Sequence, residues 1–280
     1  MRLDEYGISA PPAGLYDFTQ QVRAGIYGFG AVSDADIEAF HALGFITIHN
    51  AIDQAAIQAG RAGVRDLILR RDLDNIVVEA AVGEGFDQLP DEARLDSVRK
   101  LMPIIDFDHR LKALSELPEL SAVLARIMGE PPVLSQDMAM LKPPRIGREK
   151  PWHQDMAYFD FPTDTTIVGA WTALDAALPE NGCMMVIPGS HREGPMPHWT
   201  WRDWQICDSD VQLGKITAVP LPPGGCLLFH CLLHHGTPPT RSERRRWALQ
   251  FHFRPLSAAP FPNSDSRLRV FGADGTDATC

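Results

Sequence analysis

Apolar and polar positions along this chain change their period near residue 130. Upstream the spacing is largely helical. Ser33-Asp34-Ala-Asp36 reads as a helix start, because Ser33 can accept from backbone N–H groups while Asp34 and Asp36 sit at the positive end of the first turn. A short apolar run, Phe45 to His49, predicts a strand, and Asp53 to Arg71 predicts a long helix. Leu111 to Met128 repeats apolar residues at helical spacing and stops at Gly129-Glu-Pro-Pro. Between them, residues 73–108 mix acidic and apolar residues with no dominant period, which leaves two readings open, a surface excursion or an insertion shaping an entrance.

From Val133 onward the pattern is that of strands separated by Pro/Gly turns: 133–142, 167–174, 183–188, 216–221, 226–234 and 246–253. Several short strands in that arrangement predict a sandwich or jelly roll. The expected division is one domain, with an N-terminal arm (1–32), a mainly helical support (33–130), a β core (131–255) and a C-terminal tail (256–280).

Two short segments carry candidate chemistry. In Trp152-His153-Gln154-Asp155, residues two apart on a strand project to one face, so His153 and Asp155 can reach a single ion. That tripeptide is common and decides little alone. However, 82 residues after His153 the apolar run ending Leu-Leu-His234-His235-Gly236-Thr237 offers a second imidazole. Two imidazoles and one carboxylate cap one face of a six-coordinate Fe(II), leaving three positions open for a chelating cosubstrate and O₂. Eleven residues after His235, Arg246 opens the alternating run Arg246-Trp-Ala-Leu-Gln-Phe-His-Phe253. An antiparallel return of that length can bring a guanidinium close to such a metal, where it suits the far carboxylate of a small dicarboxylic acid.

Composition narrows the partners. With 45% hydrophobic and 22% charged residues the 280-residue chain has the makings of a globular domain and not of a disordered one. A net charge of −10 argues against nucleic acid or an anionic membrane as a partner. The first residues lack the apolar stretch of a signal peptide and no run is long enough to cross a bilayer, so a cytoplasmic location is expected. Five cysteines without a Cys-x-x-Cys pair predict neither a disulfide framework nor a zinc site.

Lys142-Pro-Pro, Trp152-His-Gln-Asp155, Trp171-Thr-Ala-Leu-Asp175, Glu180-Asn-Gly-Cys-Met-Met-Val-Ile-Pro-Gly-Ser-His191, His235-Gly-Thr237 and Arg246 follow one another in a familiar order. Across roughly residues 34 to 255 the chain thereby resembles the phytanoyl-CoA dioxygenase-like family of non-haem Fe(II)/2-oxoglutarate-dependent oxygenases. The resemblance implies a mostly β fold with α support, a double-stranded β-helix (jelly roll, cupin-like) core behind N-terminal helices. It implies Fe(II) held by His153, Asp155 and His235, O₂ as oxidant, and 2-oxoglutarate as cosubstrate with its distal carboxylate on Arg246 and Thr237. Trp171 and Lys142 would lie near the cosubstrate. Thr237 stands where the family usually has Ser, which keeps the hydroxyl; His235 is preferred over His234 because it precedes the glycine and preserves the interval to Arg246. Related halogenases replace the carboxylate ligand with a small residue, so Asp155 favours oxygenation.

The expected function is therefore hydroxylation of an unactivated C–H bond in a small organic metabolite. The alternatives are desaturation, cyclisation or epimerisation at the same iron, or a non-catalytic metal-binding jelly-roll sensor, for which the Arg246 clamp would have no use. His41, His49, His191 and His230 read as structural, with His230 and His234 sharing one strand face. Arg241, Arg244 and Arg245 read as a solvated turn, and the segment bearing Trp199, Trp201 and Trp204 as either an aromatic lid or packing.

Overall fold

The structure, a computed structural model, describes residues 10–70 and 72–272. The N-terminal half contains β1 (Gln20–Gln21), β2 (Ile26–Tyr27), α1 (Asp34–Leu43), β3 (Phe45–His49), α2 (Gln54–Leu69), β4 (Ile76–Val78), α3 (Asp91–Leu95), β5 (Val98–Leu101), α4 (His109–Ser115) and α5 (Pro118–Met128). The second half contains β6 (Pro132–Lys142), β7 (Lys150–His153), β8 (Val168–Ala173), β9 (Met184–Val186), β10 (His198–Thr200), β11 (Trp204–Ile206), β12 (Thr217–Val219), β13 (Cys226–His230), β14 (His235–Thr237), β15 (Arg246–Pro255) and α6 (Asp265–Phe271).

Local chemistry sets the helix ends. Ser33 accepts from the Asp36 N–H, and the Asp36 carboxylate accepts in return from the Ser33 N–H at 2.8 Å, a reciprocal cap that starts α1. Asp53 caps α2 by accepting from the Ala56 N–H at 2.8 Å. The single helix expected over 111–128 is two, because Pro118 has no N–H for the preceding turn and instead begins α5.

Eight strands form one sheet in the order β2-β3-β13-β8-β15-β6-β5-β4; five form a second, β1-β12-β9-β14-β7. Both sheets are mixed and the pair does not close into a barrel. The large sheet is buried on both faces. Cys226, Leu228, Leu249 and Phe251 pack toward the helices with Phe40, Leu67 and Leu124, while Leu227, Phe229, Trp171 and Ala248 point toward the small sheet with Met184, Val186 and Ala218. This two-sided burial explains why β13 reads as an unbroken apolar run. The run expected to continue to residue 234 stops at His230. There the chain turns, with the Leu233 N–H on the His230 carbonyl at 2.8 Å, and crosses to the small sheet to begin β14. His230 and His234 therefore do not share a strand face.

The uncertain segment 73–108 adds β4 and β5 to the large sheet beyond β6. The expected tail holds α6, whose Arg267 donates to the Ala157 carbonyl at 2.7 Å and to Asp160 at 2.8 Å, and whose Phe271 is buried. On the other flank, Tyr16 stacks on Trp152 with ring centroids 6.0 Å apart and donates to Glu149 at 2.5 Å; Glu149 also accepts from Arg202, which forks onto Asp208 at 2.7 and 2.8 Å. Cys183, Cys226 and Cys231 are free and buried. Among the described residues no helix is long and apolar enough to cross a membrane.

Gly169 in β8 lies opposite Phe229 in β13 and His252 in β15. A Cβ there would fall 2.5 Å from two carbons of the Phe229 ring. Gly169→Ala is expected to cost about 1–3 kcal/mol in urea denaturation, the usual penalty of overpacking. A variant as stable as the parent would show that the ring has room to move.

Candidate active site

His153 is the last residue of β7 and His235 the first of β14, and the two are register partners in the small sheet. Side chains of paired residues leave a sheet on the same side, so the imidazole centroids are only 4.2 Å apart. Asp155 is no longer in the strand. It opens a 3-10 turn over Asp155–Tyr158, tied down where the Met156 N–H meets the Cys231 carbonyl at 3.0 Å. Alternation nevertheless survives through Gln154, whose backbone stays extended at φ −114°, ψ 127°. The Gln154 side chain points away and is fully used: its amide donates to the Gly194 and Leu232 carbonyls at 2.9 and 2.8 Å, and its oxygen accepts from Met196 at 2.8 Å. Asp155 is thereby returned to the side of His153.

The hydrogen bonds at the far side of each ring decide what the near side can do. Nδ1 of His153 faces the Pro151 carbonyl at 2.7 Å and Nδ1 of His235 faces the Leu233 carbonyl at 2.9 Å. A carbonyl can only accept, so each Nδ1 carries the hydrogen. Burial, reinforced by His235, pushes His153 down to about 4, so its ring is neutral near pH 7 and its Nε2 holds a lone pair. The two Nε2 atoms converge on Asp155 Oδ1 at 3.1 and 3.5 Å. Burial alone would raise the Asp155 carboxyl, but the facing His235 and His252 imidazoles outweigh it and hold the group well below the usual carboxylate range. Two lone pairs and a carboxylate, all within 4.8 Å of one another and buried, form a donor set that suits a cation.

A cavity of about 290 Å³ opens onto this cluster. Beyond the three residues already placed, Arg246, Thr237 and Trp171 line it. Arg246 is 2% exposed; its Nη1 donates to the Met140 carbonyl at 2.8 Å, its guanidinium lies 5.1 Å over the Trp171 ring, and its Nε has no hydrogen-bond partner. Among the described residues no carboxylate pairs with it, and burial pushes its pKa down to about 10. Thr237 Oγ1 accepts from the Lys150 N–H at 3.3 Å. Lys142 is the register partner of Arg246 but does not line the cavity; its ammonium donates to the Arg148 carbonyl. Burial first, then the neighbouring Arg246 and Arg99 charges, pulls Lys142 well below the ordinary lysine range. The buried Arg246 guanidinium, facing the cavity without a carboxylate partner among the described residues, sets a positive potential at that end.

Much of the remaining wall is soft and apolar, with Met102, Met138, Met140, Met184 and Phe159, interrupted by polar groups such as Lys100, Gln136 and Lys150. Lys100 and Met102 come from the 73–108 segment, which therefore does help shape the cavity. None of Trp199, Trp201 and Trp204 lines it. Their hairpin acts through other groups: Asp203 accepts from Lys150 at 2.5 Å, and the Trp204 carbonyl accepts from Tyr158 at 2.9 Å. His191, His230 and His234 also lie outside the cavity lining. Several lining residues carried no functional reading from the sequence, among them Lys150, Tyr158, Gln250 and His252. For the last two a signal existed, since 246, 248, 250 and 252 fall on one face of a single strand.

A family model described as phytanoyl-CoA dioxygenase matches residues 40–248. The probable phytanoyl-CoA dioxygenase of Caenorhabditis elegans is 26% identical over 258 residues, covering 86% of this chain and 78% of that protein. Matches to the bovine and mouse peroxisomal phytanoyl-CoA dioxygenases span 65% and 64% of their lengths. Among solved structures, EvdO2 from Micromonospora carbonacea var. aurantiaca, complexed with 2-oxoglutarate, superposes with a TM-score of 0.66 at 24% identity, covering 86% of this chain and 97% of that one. The epimerase SnoN from nogalamycin biosynthesis, in complex with Fe³⁺, alpha ketoglutarate and nogalamycin RO, gives a TM-score of 0.66 at 21% identity over 88% of this chain and 93% of that one. At these identities the structural likenesses establish the shared fold.

Burial of neutral imidazoles has a measurable cost in acid. In the fold His153, His230 and His234 are pushed down to about 4 and His198 to about 3, in each case chiefly by burial. Unfolded, each titrates near 6.5. Between these values the unfolded chain binds more protons, so stability is intact above about pH 6.5 and falls as pH drops toward 4, by at most about 1.4 kcal/mol per pH unit per histidine. Guanidinium midpoints of the metal-free protein from pH 7.5 downward are expected to fall through this window. A flat profile would contradict the burial of these rings in neutral form.

Proposed function

This chain belongs to the phytanoyl-CoA dioxygenase family, and from that premise we propose that it hydroxylates an unactivated C–H bond of a small organic metabolite. The family is Fe(II)/2-oxoglutarate dependent, and O₂ is the oxidant. His153, Asp155 and His235 would hold Fe(II), Arg246 and Thr237 would receive the distal carboxylate of 2-oxoglutarate, and Trp171 would support the guanidinium from below. Lys142 would lie behind Arg246, as its register partner, without touching the cosubstrate.

When bound, iron couples the oxidative decarboxylation of 2-oxoglutarate to succinate and CO₂ with transfer of the second oxygen atom of O₂ to the substrate. The chain's own residues bind, orient and exclude water. No protein acid or base is required for that transfer. The methionine-lined wall offers adaptable apolar contact to the substrate and keeps water from the cluster. Asp155 fills the position that a small residue would leave to halide, which favours oxygenation over halogenation.

The observation that carries this reading is Arg246: a buried guanidinium with an unpartnered Nε, facing the cavity beside two imidazoles and a carboxylate. A metal-binding sensor would have no use for it. With Mn(II) in place of iron, Arg246→Ala is expected to weaken 2-oxoglutarate binding about 10- to 100-fold, equivalent to ~1.5–3 kcal/mol for a charge-assisted pair, and to leave metal affinity nearly intact. Isothermal titration decides it, and unchanged affinity would move the clamp to Lys142 or Arg245.

Epimerisation is the second reading, because SnoN, of the same fold, is an epimerase. Product mass separates the two. Hydroxylation adds one oxygen atom per succinate formed, whereas epimerisation leaves the substrate mass unchanged. In either case Asp155→Ala is expected to abolish substrate-coupled succinate formation at saturating Fe(II), since the anionic ligand is lost. Parent-level succinate from that variant would remove Asp155 from the metal site.

A further inference from the structure

Strand β15 presents Arg246, Ala248, Gln250 and His252 on one face, and its last two members reach past the cosubstrate end of the cavity to Asp155. His252 Nε2 lies 2.7 Å and Gln250 Nε2 3.1 Å from Asp155 Oδ2. The other oxygen, Oδ1, is the one that faces His153 and His235. We propose that His252, assisted by Gln250, is a positioning residue that holds the outer oxygen of Asp155, so that the carboxylate offers a metal Oδ1 alone. The inference rests on the reading of His153, Asp155 and His235 as the metal ligands.

The chemistry of the contact fixes its direction. A carboxylate is an acceptor only, so His252 must carry its hydrogen on Nε2 and Gln250 must turn its amide nitrogen, not its oxygen, toward Oδ2. Both donors are buried, His252 at 1% and Gln250 at 6% exposure. Nor can the imidazole swing away, because Phe159 meets it edge to face with centroids 5.0 Å apart and Phe229 does so at 6.4 Å. Phe229 is itself held in the space that Gly169 leaves open.

A carboxylate free to rotate about its terminal torsion can bind a metal through one oxygen or two. Two-point binding would use one of the three positions that a chelating cosubstrate and O₂ need. Pinning Oδ2 from behind removes that option and orients the remaining lone pairs. The same bond governs a competing donor set, since Asp155, Cys231 and His252 also lie within 4.8 Å of one another and are buried. With its Nε2 hydrogen directed at Asp155, His252 has no lone pair on that atom for a soft metal ion.

Two metals read the proposal without turnover: Mn(II) affinity by titration, and the d–d absorption of Co(II), which reports coordination number. His252→Leu is expected to weaken Mn(II) binding about 10- to 100-fold, the usual effect of removing a group that orients a ligand, and to alter the Co(II) spectrum. His252→Gln, which returns an amide N–H near the Nε2 position, is expected to recover most of both. Gln250→Leu should shift both in the same direction by less. Parent-like affinity and an unchanged Co(II) spectrum in His252→Leu would overturn the proposal, as would a thiolate-to-cobalt absorption band in the parent protein. Should His252→Leu fail to fold by circular dichroism, Gln250→Leu and His252→Gln carry the test: parent-like values for Gln250→Leu, or a His252→Gln variant that folds but loses the site, would overturn it equally. Failure of the underlying metal reading looks different, because Mn(II) would then bind the parent no better than His153→Ala or His235→Ala.

Discussion

An aspartate buried against the Nε2 atoms of two imidazoles is an arrangement that a protein must enforce. Left to themselves, three such acceptors would turn apart. Much of the architecture around Asp155 serves to prevent this. The Pro151 and Leu233 carbonyls fix the tautomer of each ring, the Gln154 side chain nails down the backbone between His153 and Asp155, and Gln250 with His252 occupies the outer carboxylate oxygen. A donor set this constrained in advance costs little further ordering when a cation arrives.

The two sheets divide the work. The small sheet brings the histidines together through a single register pair, His235 with His153. The large sheet supplies the opposite wall, with Arg246, Gln250 and His252 from β15 and Trp171 from its neighbour β8. Because Arg246 and the Gln250 and His252 donors to Asp155 sit on one strand, four to six residues apart, the distance between them is set by strand rise and not by loop conformation. The helices do not touch this chemistry; they cover the outer face of the large sheet and stiffen it.

How much of this could be read from the chain varies with the kind of interaction. The His-x-Asp pair, the second histidine, the arginine eleven residues on and the β-rich second half were legible because each is a matter of short spacing or composition. The end of β7 at His153 was not, since extended geometry at Gln154 mimics a continuing strand. Nor was the turn after His230: both sides of it are apolar, and only the crossing between sheets breaks the run. Pro118 announced the split between α4 and α5, but the apolar period runs through it unbroken. Long-range partners such as His252 with Asp155, 97 residues apart, leave no local signature. The tryptophan cluster, readable as lid or as packing, did not reveal the groups of that hairpin that reach cavity residues, Asp203 and a backbone carbonyl.

That hairpin has one more consequence. In the small sheet β7 is the terminal strand, and an edge strand ordinarily offers a row of unpaired backbone groups to any neighbouring chain. Here β10 and β11 lie along it. His198 accepts the Gln154 N–H at 2.9 Å, Arg202 grips Glu149, and Asp203 grips Lys150, so the strand that ends in His153 is closed from outside by side chains instead of by another strand. Loosening the hairpin would expose not only the cavity flank but the β edge that ends in His153. The first casualty of such damage would be solubility, through strand-to-strand association, while the helices and the large sheet were still intact.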